Sequence, residues 1–214
     1  MKAVLFDLDG TLVDSRKDIA RAVNATLKKF DLPEEKEEKI FQFVGNGVQN
    51  FIKKVLKNEG KEEIYPLFLP SFLEFYYEHI DEHTKPFEGV KQVLGTLNKD
   101  ENCVLAVVSN KLEKFAHKLL KSLDLLYFFG FVCGCDTFGV KKPDPSIISN
   151  VCKSLGMEAK NSMLVGDSEN DIIAAKEAGA VSTCVTYGFR SKEVLLQFKP
   201  HFVIHNPRQL LTII

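Results

Sequence analysis

Ala3-Val4-Leu5-Phe6-Asp7-Leu8-Asp9-Gly10-Thr11-Leu12 opens the chain with four apolar residues that run directly into two aspartates and a glycine. A short uninterrupted apolar run ended by a turn signal reads as a strand of a parallel sheet, buried on both faces. Ligands of open parallel sheets sit outside the carboxyl ends of the strands, so the two acids stand where chemistry is expected. Carboxylates two residues apart, with no cation beside them in sequence, repel each other and cost stability unless something cationic arrives. Gly10 permits a tight turn that directs backbone N–H groups outward, which suits an anion.

Further strands of the same type are Val104-Leu105-Ala106-Val107-Val108, Phe131-Val132-Cys133, Met163-Leu164-Val165, Val181 to Val185 and Phe202-Val203-Ile204. Helical patterns alternate with most of them. Leu112, Phe115, Ala116, Leu119, Leu120 and Leu123 follow helical spacing, with Asn110 as the expected N-cap. Asp144 and Pro145 supply a cap and a first-turn proline for the stripe Ile147, Ile148, Val151, Cys152 and Leu155, and Gly156 is placed to stop it. A further helix begins near Ser168, with Ile172, Ala175 and Gly179 on one face. Strands alternating with helices predict an α/β fold, a Rossmann-like parallel sheet with helices on both faces.

About a hundred residues separate the first two strands, and from Ser15 to Asp81 the pattern is helical throughout. Ile19, Val23, Leu27 and Phe30 form one stripe; Val48, Phe51, Ile52, Val55 and Leu56 a second; Phe72, Phe75, Tyr76 and Ile80 a third, which Pro70 is expected to start or kink. A segment of this length with its own apolar faces is a small helical subdomain. The expected organisation is a discontinuous core, residues 1–14 and 82–214, carrying a helical cap at 15–81, with hinges near Ser15 and Thr84.

Bulk properties exclude other classes. The 214 residues carry a formal net charge of −1, without the basic excess of a nucleic-acid binder. No apolar stretch is long enough to span a membrane, and the apolar run at the N-terminus is too short for a signal peptide. Five scattered cysteines, with no Cys-x-x-Cys pair, fit reduced thiols in a cytoplasmic protein. Cys133 and Cys135 are two ligands at most, too few for a metal site, and read as packing residues. The histidines show no metal-ligand spacing, and the aromatic run around Phe72 and Tyr76 reads as cap core. The assembly expected is a monomer or homodimer.

Three more strand ends add matching pieces. Ser109-Asn110 follows Val108, Lys141-Lys142-Pro143 lies in the loop after the third strand, and Gly166-Asp167-Ser168-Glu169-Asn170-Asp171 follows Val165. Each alone has an ordinary reading: a turn, a helix cap, a solvated lysine, acids that favour a helix N-terminus. Together, in order and each at a strand end, they bring acids, a lysine and a hydroxyl to one rim. Aspartates with water and a phosphate oxygen form the hard-oxygen surroundings that Mg2+ prefers.

These four segments resemble the ordered motifs of the haloacid dehalogenase-like hydrolase superfamily, and the helical insertion sits where that family places its cap. The run Asp9-Gly10-Thr11-Leu12-Val13-Asp14-Ser15, the cap segment Val44-Gly45-Asn46-Gly47 and the stretch from Val165 to Ile172 look most like the phosphoglycolate phosphatases. The resemblance implies a magnesium-dependent phosphatase acting on a small phosphorylated metabolite, most like 2-phosphoglycolate. Asp7 would be the nucleophile and Asp9 the acid–base partner. Ser109, Asn110 and Lys142 would hold phosphate, with Lys141 as the alternative lysine. Asp7, Asp167 and the backbone carbonyl of Asp9 would hold Mg2+, Asp171 would orient Lys142 or a water on the metal, and Gly10 and Thr11 would support the turn. Gly45, Asn46 and Gly47 would either aim N–H groups at a small carboxylate or merely open a helix. An inorganic pyrophosphatase, a sugar-phosphate phosphatase and β-phosphoglucomutase are rivals of the same fold. A dehalogenase is disfavoured because it lacks the second aspartate and the metal. A catalytically idle phosphometabolite-binding protein is the non-enzyme alternative, and the completeness of the motif set weighs against it.

Overall fold

A computed structural model describes residues 2–45 and 47–214. The chain forms two compact units, one comprising the chain up to Asp14 and from Pro86 onward, the other Ser15–Lys85.

In the first unit, β1 (Lys2–Phe6) lies at the centre of a six-stranded sheet. After β1 come the short β2 (Val13–Asp14) and, where the chain returns, β3 (Lys85–Pro86). The remaining sheet strands are β4 (Cys103–Val108), β5 (Phe131–Cys133), β6 (Ser162–Gly166), β7 (Val181–Val185) and β8 (Phe202–Ile204). Their order is β5-β4-β1-β6-β7-β8, and every pairing is parallel. All six strands expected from sequence are present.

Side chains alternate across this sheet. Ala3 and Leu5 point to one face, where they join Ala106, Val108, Cys133 and Leu164 in a buried cluster with Ile147, Ile148 and Val151. Those last three belong to a helix spanning Ser146–Ser154, and Ala174 and Ala175, from a helix at Glu169–Glu177, complete the same layer. On the opposite face, Phe6 and Val165 line a small apolar pocket together with Val90, Val93 and Leu94 of the helix Val90–Leu97. A fully buried Leu5 contributes roughly 1.5–3 kcal/mol by leaving water, and both faces of the sheet repeat that gain many times.

Topology then decides where chemistry can occur. From β1 the chain passes to β4 on one side, and only later to β6 on the other, so the strand order reverses beside β1. Such a switch point opens a crevice at the carboxyl ends of the strands. The register levels Phe6 with Val107 and with Val165, so the residues following all three strands share one edge.

Two boundaries differ from the sequence reading. Asn110 does not cap the next helix, which runs Glu113–Ser122 with Leu112 at its cap position, because the Asn110 amide is bonded to Lys142 instead. The helix after Pro145 begins one residue later than expected, and the Asp144 carboxylate accepts from the Ser146 N–H at 2.9 Å.

The second unit is built from helices at Arg16–Lys29, Glu37–Phe41, Val48–Asn58 and Tyr65–Glu78. Its core holds Ile19, Val23, Leu27, Ile52, Leu56, Phe68 and Phe72. Phe51 meets Phe72 edge-on at 5.8 Å between ring centroids, and Phe72 stacks on Tyr76 at 5.6 Å. Pro70 does not start this last helix: Pro66 occupies the first turn, and Pro70 lies inside the helix. Asp18, buried on the first helix, accepts from the His83 N–H (2.9 Å), the Thr84 N–H (2.8 Å) and the Thr84 hydroxyl (2.7 Å). This gathering carries the compact unit to Lys85, past the Asp81 boundary drawn from sequence. Gly47, at φ 81°, is the cap residue of the Val48 helix, as the plainer of its two readings expected; Gly45 is half-buried, and Asn46 lies outside the described residues. No helix among the described residues is long and apolar enough to cross a membrane.

Candidate active site

Asp7 is the first residue beyond the β1 ladder, and its N–H donates to the Val165 carbonyl at 2.9 Å. Its side chain is buried where the strand order reverses. Lys142 arrives from the loop after β5; its ammonium donates to Asp7 Oδ1 at 2.7 Å and to the Val108 carbonyl at 2.6 Å, and forms an ion pair with Asp171 Oδ1 at 2.6 Å. Asn110 fixes that loop by bracketing the Lys142 backbone. Its amide nitrogen donates to the Lys142 carbonyl at 3.0 Å, and its amide oxygen accepts the Lys142 N–H at 2.9 Å. Of the two adjacent lysines, it is Lys142 that pairs with Asp7 and Asp171.

Asp167 follows β6 and is buried. The Phe189 N–H donates to its Oδ2 at 2.7 Å, and Thr11 Oγ1 stands 3.5 Å from its Oδ1. The space it occupies exists because two neighbours lack a Cβ. At Gly10, whose φ is +88°, an added methyl would collide with the Asp167 carboxylate; at Gly188 it would strike Asp167 and the Gly10 carbonyl. The turn itself behaves differently from the expectation of outward N–H groups. The Gly10 N–H is spent on the Val13 carbonyl at 2.8 Å, and the Leu12 and Val13 N–H groups on that of Leu8.

Asp171 has two tasks. One oxygen takes the ion pair with Lys142, and the other closes a capping box with Ser168, accepting its N–H at 3.0 Å and its hydroxyl at 2.6 Å. Ser109 is buried beside Asp7's strand, with Oγ accepting the Lys111 N–H at 3.2 Å.

The electrostatics follow from burial and crowding. Asp7, Asp167 and Asp171 each place an oxygen within 4.8 Å of the others. Burial, partly offset by Lys142 and reinforced by Asp171 and Asp9, pushes the Asp7 carboxyl up to about 7. Burial, then the charges of Asp7 and Asp171, hold Asp167 well above the ordinary carboxylate range. Burial alone would lower Lys142, yet Asp171 and Asp7 hold its ammonium above the usual lysine value. Three crowded acids with a single lysine among them make a site short of positive charge.

Asp9 stands apart from this cluster. Its carboxylate is paired with Lys111 Nζ, at 3.0 Å from Oδ1 and 2.8 Å from Oδ2. Lys111, Gly188 and the Phe189 N–H have no counterpart in the sequence reading. The signal for Lys111 was available: it directly follows Ser109-Asn110, and four acids with one lysine call for a second cation. The Phe189 contact carried no such signal, since it is a backbone group of a loop remote in sequence.

The model of the haloacid dehalogenase-like hydrolases matches residues 4–185. A phosphoglycolate phosphatase of Aquifex aeolicus is 37% identical over 211 residues, covering 99% of this chain and 95% of that one. A phosphoglycolate phosphatase of Neisseria meningitidis is 36% identical, covering 92% and 85%. Among solved structures, the crystal structure of a predicted phosphoglycolate phosphatase from Haemophilus somnus superimposes with a TM-score of 0.91 at 31% identity, over 100% of this chain and 97% of the other. With Asp7, Lys142 and Asp167 gathered at the switch point of a parallel sheet, and with relatives matching over nearly their whole length, this chain belongs to the haloacid dehalogenase-like hydrolases.

Proposed function

We propose that the protein is a magnesium-dependent phosphatase that hydrolyses 2-phosphoglycolate to glycolate and phosphate through an aspartyl-phosphate on Asp7. The observation that carries this reading is the 2.7 Å contact of Lys142 with Asp7 in a buried cluster with Asp167, which supports reading Asp7 as nucleophile, Lys142 as the phosphate-holding cation and Asp167 as a metal ligand. The names of the relatives support the substrate.

In the first half-reaction an Asp7 oxygen attacks phosphorus, and the bond from phosphorus to the leaving oxygen breaks. Asp9 gives its proton to that oxygen, so glycolate leaves as an alcohol. In the second, water attacks the phosphoryl group, Asp9 takes its proton, and the bond to Asp7 breaks to release phosphate. Lys142, held by Asp171 and by the backbone bracket of Asn110, orients Asp7 and meets the phosphoryl oxygens. Ser109 donates its hydroxyl to another of those oxygens.

The donor set fits magnesium: buried hard oxygens from Asp7 and Asp167 lie in a cluster whose raised carboxyls mark a missing positive charge, and the Asp9 carbonyl would be the third protein donor. When bound, the ion relieves the repulsion between a carboxylate and a phosphate dianion.

Phosphate release from a panel of phosphate esters, with magnesium and with excess chelator, tests the reading. 2-Phosphoglycolate is expected to be the best substrate, with turnover abolished by chelation. Asp7→Asn is expected to lose at least about a thousandfold in kcat while staying folded. Substantial turnover in that variant would refute the covalent route.

A further inference from the structure

We infer that Lys111 selects the leaving group, pairing with a carboxylate carried next to the phosphate ester oxygen, and so restricts the enzyme to phosphate esters of small hydroxy acids. This rests on the reading of Asp7 and Asp9 given above and assigns the specificity of that same site to one residue.

Position is the first ground. Lys111 Nζ straddles the Asp9 carboxylate at 3.0 and 2.8 Å. A general acid must come within about 2.6–3.2 Å of the oxygen it protonates. The ammonium therefore stands within roughly two hydrogen-bond lengths of the ester oxygen. In 2-phosphoglycolate a single methylene separates that oxygen from the carboxylate, which puts the carboxylate in reach of Lys111.

Rigidity is the second. The Lys111 N–H is held by Ser109 Oγ at 3.2 Å, and its carbonyl accepts the Cys135 N–H at 3.0 Å. Gly134 packs so closely that a Cβ there would strike the Lys111 carbonyl and the Glu113 backbone. A side chain on so fixed a backbone discriminates better than one on a loop free to yield.

Chemistry is the third. The Lys111 side chain is only 8% exposed, and an ammonium shielded from bulk water attracts an anion more strongly than a surface lysine does. Lys142 is engaged with Asp7, Asp171 and the Val108 carbonyl, so it stands on the nucleophile's side of the reaction. Lys111 is the cation paired with the acid, beside which the leaving group departs. An uncharged leaving group gains nothing from it.

The test compares 2-phosphoglycolate with ethyl phosphate, similar in size and lacking the carboxylate, in magnesium-loaded wild type and in Lys111→Met, Lys111→Gln and Lys111→Arg. The ratio of kcat/KM for the two substrates is expected to fall roughly 10- to 100-fold in the Met and Gln variants, the scale of a lost charge-assisted hydrogen bond, and to survive largely in the Arg variant. Affinities for both esters, measured by calorimetry with each Lys111 change in an Asp7→Asn background, give the same comparison where turnover is too slow to follow. A ratio unchanged in the Met and Gln variants, including equal loss on both substrates, overturns the assignment of Lys111 alone. Wild type that shows no preference for 2-phosphoglycolate over ethyl phosphate overturns the substrate reading, and this inference with it.

Discussion

Without a divalent cation, this protein is expected to lose stability as pH rises through the range where most proteins are indifferent. The Asp7 carboxyl, ordinarily at 3.8, is raised to about 7 by burial among other acids. Between those values the folded protein holds a proton that the unfolded chain has released. Stability is then fully present below the unfolded value and is lost as pH rises through the folded one. Asp167 shifts in the same direction, while Lys142, held above the usual lysine value, stays charged throughout and adds no slope. From about pH 5 to about pH 7.5, Asp7 alone loses roughly 2.5 kcal/mol at about 1.36 kcal/mol per pKa unit. In a chain of this size that corresponds to roughly 5–10 °C in Tm. The assay is thermal unfolding in chelator across that range, for wild type and Asp7→Asn, so that groups common to both cancel in the difference. Bound magnesium would displace the Asp7 proton, so saturating ion should flatten the wild-type slope and raise Tm at neutral pH. A chelated wild type that melts identically across the range, or a slope retained in full by Asp7→Asn, would refute the account of an acid cluster short of positive charge.

The remaining predictions concern shape and anchoring. Gly10→Ala is expected to cut kcat by at least about tenfold, because its methyl collides with the Asp167 carboxylate at a φ that favours glycine; steady-state kinetics at saturating magnesium check this. Asp18→Ala should destabilise the protein by about 2–3 kcal/mol in urea unfolding near neutral pH, since the buried Thr84 N–H and hydroxyl and the His83 N–H lose their acceptor. Burial would raise the Asp18 carboxyl, yet the hydrogen bonds from Thr84 and His83 hold it below 3.8, so its contribution is present above that value and fades as pH falls through the folded one. A variant as stable as wild type at neutral pH would show that the Asp18 contacts contribute nothing net.

How much of this was legible beforehand follows from the range of each interaction. Apolar runs such as Ala3–Phe6 and Val104–Val108 identify strands locally, because burial on both faces requires unbroken apolar sequence. The parallel sheet, the helical insertion and the positions of Asp7, Ser109, Lys142 and Asp167 at strand ends were therefore readable from residue order alone. Partnership was not. Asp7 looked unpaired because its neighbours are apolar, yet Lys142, 135 positions away, holds it, and Asp9 is held by Lys111 at a separation of 102. Asn110 looked like a helix cap, since asparagine before a helix usually is one, but the loop after β5 offered its amide a better partner in the Lys142 backbone. The N–H groups of the Gly10 turn looked available to an anion and were consumed by their own loop. Sequence determines which elements form, because periodicity and burial act over a few residues. Which carboxylate meets which lysine depends on strand order and register, and only the folded sheet brings such distant residues within 3 Å of one another.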